Sequence, residues 1–548
     1  MTATIDFEPP GPGTWEHDAS HSPAAPTPVF RHVAAVSATT AYRDVFERFG
    51  APLQTLDVRF VHGQMYRRMV PLVGADRSGP PPPGPVLWLA ARLHPAFRAR
   101  ERVARRELEV KSFLEPMDDW ERHERQAWID RNLALQGEAI DRLDDVALAD
   151  HVTRVVAHNL EGWTRHHVLH GTDMGPIGDL LAHTNRWGLD PVEVMEQLRG
   201  ASPATVETAR LAAGISEALR AAGVDPAAVS DLDEVRSASS DAAIRLDEYL
   251  ERFGWRIVTS YDIEGLTVGE LPGATVALIR AGGHAELDRP PVGPLRAAVP
   301  ADDRADFDEL LTNARRAYGL RDDNGPLTAE WPMGLIRRAF LEAGDRLAAS
   351  GRISDAAHVF ELDGDELASM LGEGSAPSAD ELGERADRRR WEAALDAPAV
   401  LGPDVAPPPS SLLPPGMRRM VEAVETAVEL LEPERVDRPA LHGLGLGEEP
   451  VIGRARVAHR PEDVLATFEP GDVLVAAWTA PTYNTVLAAA GGIVVQEGGL
   501  LCHAAVMARE LDLPAVIGAT DAMSAISDGD VVEVDPVRGV VRIVEAAR

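Results

Sequence analysis

The feature that divides this chain is "APAVLGPDVAPPPSSLLPPG", residues 397–416, in which seven of twenty residues are proline. Proline has no N–H to donate and its ring fixes φ, so the run cannot continue a helix or sit in a central strand, and it stiffens toward polyproline II. It reads as a hinge linker, and the textures on its two sides differ. Ahead of it, from about residue 40 to 395, apolar residues recur at spacings of three and four in "DRLDDVALADHVTRVVAHNLEGWTRHHVLHG", "TVETARLAAGISEALRAAG" and "DAAIRLDEYLERFG". The last two end at Gly, the usual residue just past a helix, and "DPVEVMEQLRG" starts with an Asp cap before a proline. After about residue 440, "VIGRARV", "DVLVAA", "GGIVVQ", "PAVIG", "DVVEVD" and "GVVRIV" are short Val/Ile runs bounded by Gly, Pro and Asp, which read as strands. Two helices, around Thr482 to Ala490 and Cys502 to Leu511, interrupt them.

The expected architecture is therefore multidomain: a mainly α-helical N-terminal and middle region followed by a C-terminal α/β domain. A Pro/Gly-rich arm covers 1–30, the helical region 31–396, the hinge linker with one helix (Met417 to Leu431) 397–440, and the α/β domain 441–548. A chain of 548 residues exceeds what one core supports. Its formal charge of −33 would repel a phosphate backbone, so nucleic acid is not the expected partner. The one basic stretch, "RARERVARRELEVK" from Arg98 to Lys111, reads as the solvated face of a helix. The start "MTATIDFEPPGPG" lacks the basic and apolar segments of a signal peptide, and no apolar run is long enough to span a membrane. With a single cysteine the chain forms no internal disulfide, which suits a reducing cytoplasm.

That cysteine, Cys502, stands next to His503 in "EGGLLCHAAVMARELDLPAVIG". A buried strand leads into Gly498-Gly499, and a helix starts near Cys502. His503 then lies in the first helical turn, where free backbone N–H groups and the helix dipole favour an anion and disfavour imidazolium. A neutral, nucleophilic imidazole beside an oxyanion site suits transient phosphorylation on nitrogen. The glycines leave room for a phosphoryl group to approach. By itself the pattern is also that of a histidine that caps or packs a helix.

The same stretch, with "DGDVVEVDPVRGVVRI" after it and "GxxRxxxxPEDV" and "DVLVA" before it, resembles the swivelling phosphohistidine domain of the PEP-utilising enzymes. That family includes phosphoenolpyruvate synthases, pyruvate phosphate dikinases and rifampin phosphotransferases. The resemblance covers about residues 443–544 and implies that His503 carries the phosphoryl group. It also implies a phosphoryl-site loop of Gly498, Gly499 and Cys502, where the family usually has Ser or Thr in place of Cys502. A thiol is a weaker donor than a hydroxyl. A small side chain filling the same space is one reading; the other is a low-pKa thiol whose oxidation would block His503.

The helical region, including "ARRAYGLRDDNGPLTAEWPMGLIRRAF", is similar to the substrate-binding region of rifampin phosphotransferases. There an Arg-Glu pair with a basic residue three further on faces the phosphohistidine. Arg321 matches the arginine and Asp322 stands for the glutamate, while Gly325 falls where the basic residue would be. Arg321 is thus the expected phosphoryl clamp, with a surface arginine in an acidic loop as the other reading. Arg256 in "RFGWR" falls where relatives carry an Arg-containing loop. His158, His166, His167 and His170 lie on one helix, but without an HExxH pattern they read as ordinary helix histidines, and no metal is expected.

Residues ahead of 440 show no Gly-rich phosphate loop, and the chain ends just after the last expected strand. The resemblance therefore implies a component that binds no cofactor itself. It would use ATP and Mg²⁺ through an ATP-grasp partner and pass phosphoryl to a small-molecule acceptor. A non-catalytic phosphocarrier and a small-molecule binding protein are the alternatives. An acceptor hydroxyl needs a base, for which His170 and Asp322 are available.

Overall fold

The computed structural model describes residues 5–547 except 20, 23, 78–81, 283–290, 373, 432–440, 466 and 481–482. The 432–440 part of the expected hinge and Thr482 of the expected helix lie outside the described residues. The chain forms two compact units. The first is Met1–Thr172, Ser260–Gly265 and Asn324–Glu422; the second is Asp173–Thr259, Leu266–Asp323 and Ala423–Arg548.

The first unit is helical around one small sheet. Strands β1 (Trp15–His17), β2 (Leu53–Val61), β3 (Gln64–Pro71) and β4 (Val400–Leu401) are ordered β2-β3-β1-β4. This sheet was not among the elements expected in the mainly helical region. The hairpin turns on His62-Gly63, both at positive φ (47° and 74°), the geometry of a two-residue turn matched to strand twist. Its strands interleave Arg with apolar residues, so no apolar run announced them. The prolines of 397–416 leave Val400 and Leu401 free to pair at the sheet edge, opposite Glu16 and Trp15. Trp15, Tyr66 and Leu401 form the small core there.

Helix α1 (Pro28–Arg48) packs on β2 and buries Val29, Phe30, Val33 and Val45. Its cap Thr27 accepts from Phe30 N–H, and donates through its own N–H and hydroxyl to buried Asp262 at 2.7 and 2.6 Å. Helix α2 (Asp145–Arg186) runs on well past Gly171 and takes Pro176 within it. Helix α3 (Arg304–Gly325) leads into a π-helical turn, Pro326–Glu330, and then α4 (Trp331–Ala349). Pro326 and Pro332 supply no N–H, and the wide turn accommodates that break in the ladder.

In the second unit the expected caps form: Asp190 accepts from Val192 N–H at 2.8 Å, and Gly223 follows the helix Pro203–Ala221 at φ 78°. Gly254, after Ser240–Phe253, instead stays right-handed at φ −54°. Helix α5 (Pro415–Leu431) leads toward the C-terminal sheet. That sheet comprises β5 (Leu444–Leu446), β6 (Val451–Ala458), β7 (Val473–Ala476), β8 (Gly492–Val495), β9 (Ala515–Ile517), β10 (Val531–Asp535) and β11 (Val540–Glu545). The order is β11-β10-β6-β7-β8-β9-β5; β6 to β9 are parallel, and β5 and β10 flank them antiparallel. Each residue of β7, β8 and β9 is buried, which is why those strands read as continuous apolar runs rather than alternating ones. Helices α6 (Asn484–Leu487) and α7 (His503–Leu511) interrupt the strands. The chain is thus mainly helical with a C-terminal α/β domain. Among the described residues no helix is long and apolar enough to cross a membrane.

Candidate functional site

The loop from β8 to α7 is built to deliver His503. Gly498 sits at φ +122°, where a side chain is strained, and an added Cβ would lie 2.7 Å from the Cys502 sulfur. Gly499 accepts from Cys502 N–H at 3.1 Å, closing the turn, and Leu501 N–H donates to Leu430 at 3.0 Å. Cys502 is the N-cap residue, with extended backbone and no capping bond from its sulfur. Arg509, two turns on, locks the loop from beneath: it donates to the Leu500 carbonyl at 2.7 Å and pairs with Glu196 at 3.1 Å. Arg509 is 3% exposed, so the arginine of the Ala-Arg-Glu motif is a structural strut.

His503 is the first residue of α7 and is partly buried. Its Nδ1 accepts from the Thr479 hydroxyl at 2.9 Å, and its Nε2–H donates to Asn484 Oδ1 at 2.8 Å. An amide oxygen only accepts, so this network selects the neutral tautomer with the proton on Nε2. Burial, and then the Arg321 charge, push the His503 pKa down to about 3. The ring is therefore neutral at any physiological pH.

Sequence reasoning missed Thr479 and Asn484. Thr479 follows β7, and Asn484 is the first residue of α6. The polar pair five residues apart behind a buried strand was the only signal. Thr479 places a hydroxyl on the imidazole itself. Of the two readings of Cys502, burial favours the small packed side chain: it outweighs the neighbouring backbone N–H groups and pushes the thiol pKa up.

Arg321 and Asp322 fall in the same unit as His503. Arg321 Nη1 contacts Asp173 Oδ1 at 3.3 Å and Met174 Sδ at 3.1 Å. Asp173 is fully buried, and burial raises its pKa to about 7 against the pull of Arg321. Asp322 is likewise raised to about 7, by burial first, with Asp173 and Asp323 adding to it. Its Oδ2 is out of reach of solvent and has no hydrogen-bond partner. A carboxyl poised near neutrality is suited to taking and returning a proton.

The other singled-out residues each have their own surroundings. Arg256 is buried with its guanidinium over the Phe253 ring at 4.2 Å. His158 bonds Asn132 Oδ1 at 2.8 Å in the core of the first unit, where burial takes it to about pKa 4. His166, His167 and His170 belong to the first unit, and Gly325 faces His166: an added Cβ would lie 3.5 Å from its Cε1. Among the described residues no group of three or more His, Cys, Asp or Glu is placed to hold a metal ion.

Comparison with known proteins bears on the same segment. The family model "PEP-utilising enzyme, mobile domain" matches residues 468–539, which hold Thr479, Asn484 and His503. An uncharacterised phosphotransferase of Bacillus subtilis, YvkC, is 27% identical over 315 residues, 54% of this chain and 36% of that one. A rifampicin phosphotransferase from Streptomyces sp. is 28% identical over 332 residues, 57% of this chain and 36% of its own length. A phosphoenolpyruvate synthase of Aeropyrum pernix is 46% identical over 89 residues, 16% of this chain and 11% of that one. The matches to the two phosphotransferases thus take in 36% of their length. Residues 468–539 thus match the mobile domain of PEP-utilising enzymes, and just over half of the chain is similar to about a third of two phosphotransferases.

Proposed function

We propose that this chain is the phosphohistidine-carrying and acceptor-binding component of a dikinase-type phosphotransferase. The observation that carries this reading is His503 held neutral, at the start of α7, between the Thr479 hydroxyl and the Asn484 amide. An ATP-grasp partner, in the same or another chain, binds ATP and Mg²⁺. The imidazole attacks the β-phosphorus, AMP leaves, and water releases the terminal phosphate, so the β-phosphoryl stays on His503. The domain then presents it to a small-molecule acceptor. The acceptor oxygen bonds phosphorus as the N–P bond breaks and its electron pair returns to the ring. Asp322 is the base for the acceptor proton, and the Arg321 guanidinium steadies the phosphoryl oxygens. The names of the relatives support the reaction class, since they include phosphotransferases and a phosphoenolpyruvate synthase.

A carrier without an acceptor draws on Gly325, which offers no cation where the resemblance calls for one. Intact-mass spectrometry at alkaline pH separates the readings, using β- and γ-labelled ATP, an ATP-grasp partner and His503→Ala as control. Acid-labile β-label absent from the mutant supports the carrier step, and its loss on adding an acceptor supports the full reaction. If neither ATP nor phosphoenolpyruvate labels the wild type with any partner, the proposal fails.

A further inference from the structure

Within the second unit the C-terminal domain is seated on helices. There α7 packs on the helix Pro203–Ala221, and α6, which begins with Asn484, packs on the helix Pro272–Ala281. Three polar contacts join the far end of α7 to residues 196–200. Arg509 pairs with Glu196 at 3.1 Å, Glu510 Oε1 accepts from the Gly200 N–H at 3.0 Å, and Arg199 pairs with Asp512 at 2.5 Å. Arg509 and Glu510 are 3% and 1% exposed, and both charges act on the buried Tyr318 hydroxyl of α3. Asp512, just past α7, is mostly exposed, so the seam runs from a buried centre to a wet rim.

The chemistry of this seam sets it apart from a permanent junction. Charged residues are depleted at the centres of permanent interfaces, where apolar surface supplies the affinity. Here two adjacent charges of α7 occupy the centre. A buried ion pair adds little net stability, because water takes back both charges when they separate, whereas a wrong register leaves a charge buried and unpaired. Such a seam selects one position without binding it tightly. The position matters at the other end of α7, where the Arg321 charge acts on His503. Tyr318 and Arg321 are three residues apart on α3, so the contacts that seat Arg509 and Glu510 beside Tyr318 also set where His503 stands relative to Arg321.

We propose that Glu196, Arg199 and the Gly200 N–H are positioning groups for phosphoryl transfer: they hold α7, and His503 with it, in one register beside α3, and the seam they form opens when its charges are screened. This inference rests on the phosphohistidine role proposed above.

The test is amide hydrogen exchange at Gly200 in the full chain, read by NMR. That N–H bonds Glu510 across the seam, so it exchanges when the seam opens. Raising NaCl from 0.05 to 0.5 M should speed it at least ~3-fold in the wild type, while Ile493–Val495 of β8 keep their rates. Arg199→Asp sets two carboxylates against each other and should speed it at least ~10-fold, corrected for the neighbour's effect on the intrinsic rate, and Arg199→Asp/Asp512→Arg should recover most of that. Glu196→Gln strands Arg509 and should act in the same direction as Arg199→Asp. Gly200 exchange that ignores salt and every variant, a rise shared by β8, or a charge swap that recovers nothing overturns the inference. No phosphoryl donor is needed, so the two proposals fail separately. A responsive seam in a chain that no donor labels leaves the seam standing and removes the carrier role. Labelling of His503 with an inert seam does the reverse.

Discussion

His503 should not titrate in the range where histidines ordinarily do. Its ordinary pKa of 6.5 is pushed down to about 3, by burial first and the Arg321 charge second. At pH 5 an ordinary imidazole is ~97% protonated, whereas one with a pKa near 3 is ~1% protonated. The difference of ~3.5 pH units corresponds to ~5 kcal/mol in favour of the neutral ring. The sign for stability follows. The folded pKa lies below the unfolded one, so between pH 6.5 and 3 the unfolded chain binds the proton first. Stability from this group is fully present above 6.5 and is lost as pH falls, by up to ~1.4 kcal/mol per pH unit. The assay is an NMR titration of ¹³C-histidine-labelled protein from pH 8 to 4.5, with His503→Gln identifying the resonance. The expected resonance is flat over that range. Arg321→Gln should raise the pKa while leaving it below 6.5, because burial remains. An inflection for His503 between pH 5.5 and 7 in the wild type would refute the burial argument, and so would full return to 6.5 in Arg321→Gln.

Other outcomes follow from the same loop. Thr479→Val and Asn484→Ala each remove one bond to the ring and should slow phosphoryl loading ~5- to 15-fold, read by intact mass, with far-UV circular dichroism unchanged. Cys502 should alkylate with iodoacetamide more slowly at pH 7.5 than free cysteine and reach the free rate in denaturant, because burial raises its pKa; equal rates in the folded protein would restore the reactive-thiol reading. Arg509→Met strands the Leu500 carbonyl and leaves Glu196 without its partner. It should cost ~3 kcal/mol and raise hydrogen exchange across 498–511, and unchanged protection there would show that the strut is dispensable.

Much of the C-terminal domain was legible because its cause is local. A parallel strand buried on both faces has to be a short apolar run, and β6 to β11 lie on the runs that announced them. Only β5 escaped: "LGL" is too short and too rich in glycine to differ from a turn, and it becomes a strand by pairing with β9. The N-terminal sheet was illegible for the opposite reason. Arg67 and Arg68 put charge into β3, while the pairing that makes it a strand comes from β2 and, far away in the chain, from β1.

The site divides in the same way. His503, its glycines and the helix that starts on it are consecutive in sequence, so spacing alone placed them together. Thr479 and Asn484 reach the ring only because the segment after parallel β7 and the loop after β8 emerge at the same end of adjacent strands. The sequence by itself determined that the imidazole stands at a helix start behind a glycine turn. Tertiary structure decided that the ring is neutral, which nitrogen carries the proton, and that the Cys502 thiol has its pKa raised rather than lowered. Burial and distant charge set those properties, and both are sums over neighbours that the chain assembles only on folding.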